Sequence, residues 1–240
     1  MRIIVCENYD EMSAKAAEIV ASQLILKPDS ILGLATGSTP IGLYENLAKM
    51  NKEGKIDFSQ VKSFNLDEYY PIEHSNDQSY YYFMNDNLFS KVNIDIKNTD
   101  IPNGEATDPA AECKAYEERL AASAGIDLQI LGIGQNGHIG FNEPDANLSA
   151  VTHLVTLTDN TIEANARFFE KKEDVPTKAL TMGIGTIMKS RKIVILASGK
   201  NKYDAVQKLL DNSITTDCPA TMLKTHPDVI LICDKEAYSK

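Results

Sequence analysis

Short apolar runs rich in β-branched residues recur along the chain, separated by segments of helical length. The runs are Arg2–Cys6, Ser30–Leu34, Val61–Phe64, Leu128–Ile133, Leu154–Leu157, Lys192–Ala197 and Val229–Cys233. A strand with one wet face alternates apolar and polar residues, whereas a strand covered on both faces reads as a nearly continuous apolar run. Between the runs, Asp10–Leu26 opens on a capping Asp10 and carries Met12, Ala16, Ile19, Val20 and Leu24 on one stripe. Pro40 suits the first position of a helix over Ile41–Met50, and Asp108-Pro109 opens another that stops at Ser123, before Gly125. A fourth helix comes after a Ser-Gly break, at Asn201–Leu210. This alternation predicts an α/β fold over residues 1–240 as a single domain. Its core is a doubly wound, mostly parallel sheet with helices on both faces, of Rossmann-like form.

Composition narrows the function. The 240 residues carry 24 Lys+Arg against 34 Asp+Glu, a formal net charge of -10. That balance argues against nucleic acid or an anionic membrane surface as partner, since both demand a broad basic face. The N-terminus lacks the apolar core of a signal peptide, and no apolar stretch reaches the length of a bilayer span. Cys6, Cys113, Cys218 and Cys233 are far apart with no C-x-x-C pair, so the reading is free thiols in a reducing, cytoplasmic setting. The polar segment Glu170–Pro176 reads as a mobile loop or a solvated turn.

Ligands of open α/β sheets bind beyond the carboxyl ends of the strands, so the residues just past each apolar run matter most. After Leu34 comes Ala35-Thr36-Gly37-Ser38-Thr39-Pro40, a turn whose hydroxyls and helix-start N–H groups suit a phosphate. It is neither a Walker A sequence nor a G-x-G-x-x-G fingerprint, and an ordinary capped turn explains it equally well. After Phe64 comes Asn65-Leu66-Asp67-Glu68-Tyr69-Tyr70, where two carboxylates sit in an aromatic setting. Desolvation there would make one of them a better base toward a carbon-bound proton; a solvated turn is the plainer alternative. After Leu131 comes Gly132-Ile133-Gly134-Gln135-Asn136-Gly137-His138-Ile139-Gly140-Phe141-Asn142-Glu143-Pro144. Of the histidines, only His138 lies in such a glycine-rich loop, with Asn136 and Glu143 placed to orient it, which suits acid/base catalysis. His74, His153 and His226 read as surface or structural residues. After Ala197 come Ser198-Gly199-Lys200-Asn201-Lys202, whose lysines, with Arg167, are candidate phosphate cations or plain surface charges. Gly183-Ile184-Gly185 fits a pocket wall or tight packing. No metal-ligand spacing and no G-x-S-x-G elbow is present, so the residues suggest proton transfer on a small phosphorylated metabolite, without a metal.

Taken in order, Ala35–Pro40, Phe64–Tyr69, Gly134–Pro144 and Asn165-Ala166-Arg167-Phe168-Phe169 closely resemble the glucosamine-6-phosphate deaminase family, along essentially the whole chain. The resemblance implies a metal-free and cofactor-free conversion of glucosamine 6-phosphate and water into fructose 6-phosphate and ammonia. It implies that His138, assisted by Glu143 and Asn136, moves the proton that opens the pyranose ring. It implies that Asp67 takes the C2 proton and returns one at C1, and that Thr36, Gly37, Ser38, Thr39, Arg167 and Lys202 hold the phosphate.

Two departures carry consequences. Relatives under allosteric control bind their effector with basic residues just after the histidine block and with a longer C-terminal tail. The matching positions here are His153 and Val155 and the sequence ends at Lys240, which reads as hyperbolic kinetics in a monomer or small homo-oligomer. The nearest rivals are a 6-phosphogluconolactonase-like hydrolase or another phosphosugar isomerase; a non-catalytic sugar-phosphate sensor would not need Asp67, His138 and Glu143. The second departure is Asn136, where some members carry Asp. An amide orients its neighbours but adds no negative charge. Asn136→Asp is therefore expected to move the acid limb of the pH–rate profile upward, and an unmoved limb would count against this role.

Overall fold

The computed structural model describes residues 1–158, 161–163, 169, 171 and 174–239. Seven parallel strands form the central sheet: β1 (Arg2–Cys6), β2 (Ile31–Leu34), β3 (Lys62–Asn65), β5 (Thr99–Asp100), β6 (Leu128–Gly132), β9 (Ile193–Ala197) and β10 (Val229–Asp234). Their order across the sheet is β1-β10-β9-β6-β2-β3-β5. The central strands β2, β9 and β10 are buried at every residue, which accounts for their uninterrupted apolar character.

The helices fall where the apolar stripes place them, with small shifts at their ends. Helix α1 (Tyr9–Leu26) buries Met12, Ala16, Val20 and Leu24 against the sheet. Its cap is Asn8, whose side chain accepts from Glu11 N at 3.0 Å; Asp10 lies inside the first turn. Asn8 wins because its backbone is extended, as a cap requires, whereas Asp10 is already helical and favours the positive end of the dipole. Helix α2 (Ile41–Lys52) starts one residue beyond Pro40, and α4 (Pro109–Ala122) is capped by Asp108, which accepts from Ala110 N and Ala111 N. The last predicted helix divides into a 3₁₀ turn, Lys200–Lys202, and an α-helix, Tyr203–Leu210.

A second, antiparallel sheet is the part that the apolar runs do not reveal. Its strands are β4 (Asp67–Tyr70), β7 (His153–Thr156) and β8 (Lys178–Thr181), in the order β4-β8-β7. The Leu154–Leu157 run thus belongs to this small sheet and not to the parallel one. The chain passes between the two sheets at Leu66. Its N–H donates to Leu34 O of the large sheet at 3.0 Å, and its carbonyl accepts from Met182 N beside the small sheet at 2.8 Å. Asp67, the next residue, is fixed at that junction, opposite Thr181. A satellite core of Tyr69, Ile72, Phe141, Leu157 and Ala179 packs the small sheet against the glycine-rich loop. Among the described residues, no helix is long and apolar enough to cross a membrane.

Candidate active site

A cavity of about 860 Å³ opens at the carboxyl ends of β2, β6 and β9 and extends to the sheet junction. That is within the usual size for a small-molecule site. Its wall contains Thr36, Gly37, Ser38 and Thr39 after β2, Asp67 at the junction, Asn136 and His138 after β6, and Ser198, Asn201 and Lys202 after β9. Four separate strand endings singled out in the sequence therefore meet in one place. Arg167 lies outside the described residues, as does part of Glu170–Pro176. Lys200 is exposed and does not line the cavity. Gly183 and Gly185 press on the backbone of Ala150 and Val151, which settles their role as packing.

The phosphate-type turn is shaped by Gly37, whose φ of +85° is a left-handed conformation that side chains resist. The turn runs into α2 through Pro40, and Tyr9 OH ties its end, donating to Ser38 O at 3.1 Å and accepting from Gly42 N at 2.8 Å.

The two adjacent carboxylates have opposite fates, because successive strand residues point to opposite faces. Glu68 turns away from the cavity and accepts from Tyr69 N, Tyr80 N and Tyr81 N at 2.8–2.9 Å, holding the start of helix α3 (Tyr80–Asn87). Burial pushes its carboxyl up to about 7, against those three donors. Asp67 faces the cavity, is 5% exposed, and among the described residues receives no hydrogen bond. Burial, and secondarily the charge of Glu68, push it up to about 8. A buried carboxylate without donors is a strong base for its kind.

His138 and Glu143 form a separate imidazole–carboxylate pair. His138 Nδ1 is 3.3 Å from Glu143 Oε2, within ion-pair range though off the line of a good hydrogen bond. Burial pushes Glu143 up, but the nearness and charge of a protonated His138, with hydrogen bonds from Thr161 and Asn136, outweigh it and hold the carboxyl at about 2. It is a permanent anion beside an imidazole, which suits a group that gains and releases protons. The ring lies flat against Gly134, where an added Cβ would come within 2.4 Å of its atoms; this is the close approach that requires glycine there. Asn136 makes no hydrogen bond to the ring. Its Oδ1 accepts from His138 N at 3.1 Å and its Nδ2 donates to Glu143 Oε2 at 2.6 Å. An Asp at 136 would thus face the Glu143 carboxylate directly, and the expected upward shift of the acid limb would act through that like-charge contact.

Two cavity residues escape a reading of the sequence. Tyr80 stacks on Phe141 with an interplanar angle of 5° and lines the cavity from α3, a helix with no clear apolar stripe. Thr161 lines it from beyond β7 and donates to Glu143 Oε1. The remaining histidines keep to structure: His74 stacks on Tyr81, His153 Nδ1 lies 3.0 Å from Val151 O, and His226 is buried against Ser190 O. No group of three or more His, Cys, Asp or Glu side chains among the described residues is arranged to hold a metal.

The fold and cavity define an α/β protein with a buried carboxyl at the sheet junction, a separate imidazole–carboxylate pair and a turn suited to an anion. Residues 7–231 match the family of glucosamine-6-phosphate isomerases and 6-phosphogluconolactonases, and the chain belongs to that family of enzymes. A glucosamine-6-phosphate deaminase of Halothermothrix orenii is 59% identical over 239 residues, spanning 100% of this chain and 99% of its own. One from Clostridioides difficile is 57% identical over 240 residues, 100% of this chain and 96% of its own. The solved structure of a monomeric glucosamine-6-phosphate deaminase superimposes with a TM-score of 0.97 at 45% identity, covering 99% of this chain and 98% of that one. A 6-phosphogluconolactonase from Thermotoga maritima shares the fold alone, at 22% identity and a TM-score of 0.76 over 98% of this chain and 99% of its own.

The raised Asp67 has a measurable cost in stability. Its folded-state value, about 8, lies above the ordinary 3.8, so its contribution to stability is complete below about pH 4 and is lost as pH rises through 8. The neutral isostere Asp67→Asn escapes that loss. We expect its melting temperature to exceed the wild type's by several degrees at pH 9, with the gap closing toward pH 4. A gap that does not depend on pH would show that Asp67 is not held in this way.

Proposed function

We propose that this chain converts glucosamine 6-phosphate and water into fructose 6-phosphate and ammonia, with residues 1–240 acting as one catalytic unit in the reducing cytoplasm. Contribution of both sheets to one cavity supports the single unit, and four buried, unpaired cysteines fit the compartment. The observation that carries the reading is the division of labour between Asp67 and the His138–Glu143 pair. A sugar enolisation needs a desolvated base at carbon, and ring opening needs a separate group that exchanges protons with oxygen.

That division sets the order of steps. The phosphate rests on the Thr36–Thr39 turn near Lys202, with Arg167 a further cation on the family resemblance, and so anchors one end of the sugar. His138 takes the proton of the anomeric hydroxyl and returns one to the ring oxygen, opening the pyranose to the aldehyde; Glu143 balances the imidazolium formed in between. Asp67 then removes the C2 proton, giving an enolamine, and delivers a proton to C1. The resulting C2 imine adds water and expels ammonia, leaving the ketone. No step asks a cofactor to carry electrons, since the oxidation of C2 is balanced by the reduction of C1. A lactonase abstracts no proton from carbon and has no use for a base poised like Asp67. The similarity to a monomeric relative supports a monomer or small homo-oligomer with hyperbolic kinetics.

The test is to incubate the protein with glucosamine 6-phosphate and measure ammonia and fructose 6-phosphate together. Equal amounts of both are expected. Asp67→Asn should lower kcat by about 10²–10⁴-fold, the usual worth of a positioned base, with KM little changed. Turnover that survives in Asp67→Asn, or ketose without ammonia, would refute the assignment.

A further inference from the structure

Glu143 divides its two oxygens between different parts of the fold. Oε2 faces the loop after β6, where Asn136 Nδ2 donates at 2.6 Å and His138 Nδ1 sits at 3.3 Å. Oε1 faces the segment after β7, where it accepts from Thr161 Oγ1, with Thr158 Oγ1 at 3.5 Å. Thr161 has one hydroxyl proton, and Thr158 Oγ1 lies 3.2 Å away, placed to donate to the Thr161 oxygen. Thr161 N in turn donates to Thr158 Oγ1 at 3.3 Å. The Thr161 hydroxyl is thereby oriented as a donor to Glu143, and its side chain is 6% exposed in the cavity wall. A hydroxyl fixed from behind and aimed at one oxygen of a carboxylate determines how the other oxygen is presented.

We infer that Thr161 is a positioning residue for the ring-opening step: its hydroxyl holds Glu143 in the orientation that presents Oε2 to His138. The inference rests on the function proposed above. It also gives the segment after β7 a part in the chemistry, since the same short stretch that lines the cavity sets the partner of the catalytic imidazole. His138 is the titratable group within ion-pair range of Glu143 among the described residues, and Asp67 and Glu163 are the carboxylates that line the cavity. Removal of one hydrogen bond to a charged group corresponds to about a tenfold effect.

The experiment compares Thr161→Val, which keeps the shape without the hydroxyl, with Thr161→Ser, which keeps the hydroxyl. The valine variant is expected to lower kcat about tenfold with KM within about twofold; serine should restore kcat. A second arm reads the resting protein without turnover, by ¹³C NMR of the Glu143 carboxyl. Its titration should rise to higher pH in the valine variant and return in the serine variant. A change in KM alone, an unmoved Glu143 titration, or a loss that serine does not restore would overturn the positioning role and leave Thr161 as packing. If the wild type forms no ammonia while the Glu143 titration moves as expected, the deaminase reading fails and the hold of Thr161 on Glu143 stands.

Discussion

Leu66 belongs to both sheets at once, and the site depends on that. Its N–H extends the pairing of β3 with β2 in the parallel sheet through Leu34 O, and its carbonyl joins the antiparallel sheet through Met182 N. A backbone held on both sides by hydrogen bonds cannot rotate, so the residue after it has one available direction. That residue is Asp67, which enters the cavity, and the strand alternation then forces Glu68 outward to the start of α3. The glycine-rich loop is docked on the same junction: Phe141 N donates to Thr181 Oγ1, and Asn142 Nδ2 donates to Met182 O. Asp67 and the imidazole–carboxylate pair are thus both referred to one piece of rigid backbone.

The electrostatics of the site depend on how each carboxylate is supplied with donors. Asp67 and Glu143 are both largely buried, yet one is pushed up to about 8 and the other held at about 2. The difference lies in partners: Asp67 receives no hydrogen bond among the described residues, whereas Glu143 is met by Asn136, Thr158, Thr161 and His138. On the proposed reading, environments that push similar groups apart in this way make Asp67 the base and Glu143 the permanent counter-ion. The formal charge of -10 cannot attract an anionic sugar phosphate; on the proposed reading the pull comes from Lys202, from Arg167 and from the helix start beyond Thr39, over a short range.

Much of this is legible in the residues. The buried strands β2, β6, β9 and β10 declare themselves because a strand covered on both faces is built almost wholly of apolar side chains, and the candidate site residues lie just past their ends. Strand β4 does not, because Asp67-Glu68-Tyr69-Tyr70 has the composition of a turn and is a strand only through its pairing with β8. The two acidic residues cannot be told apart for the same reason: which of them faces the cavity is decided by register. Thr161 carries no signal, since its partner Glu143 is distant in sequence and a lone threonine has no spacing to read. Asn136 stands out in the sequence, but its contacts do not: it reaches Glu143 and the backbone of His138, where the sequence suggests the imidazole.

The central claim is that ring opening and proton abstraction from carbon belong to different groups. It is tested most directly with glucosamine 6-phosphate deuterated at C2, incubated with Asp67→Asn in ordinary water and followed by NMR. The account predicts that the variant keeps the C2 deuterium over many wild-type turnover times while still catalysing interconversion of the anomers through the open chain. Loss of the deuterium at the wild-type rate, or loss of anomer interconversion along with it in a folded variant, would contradict it.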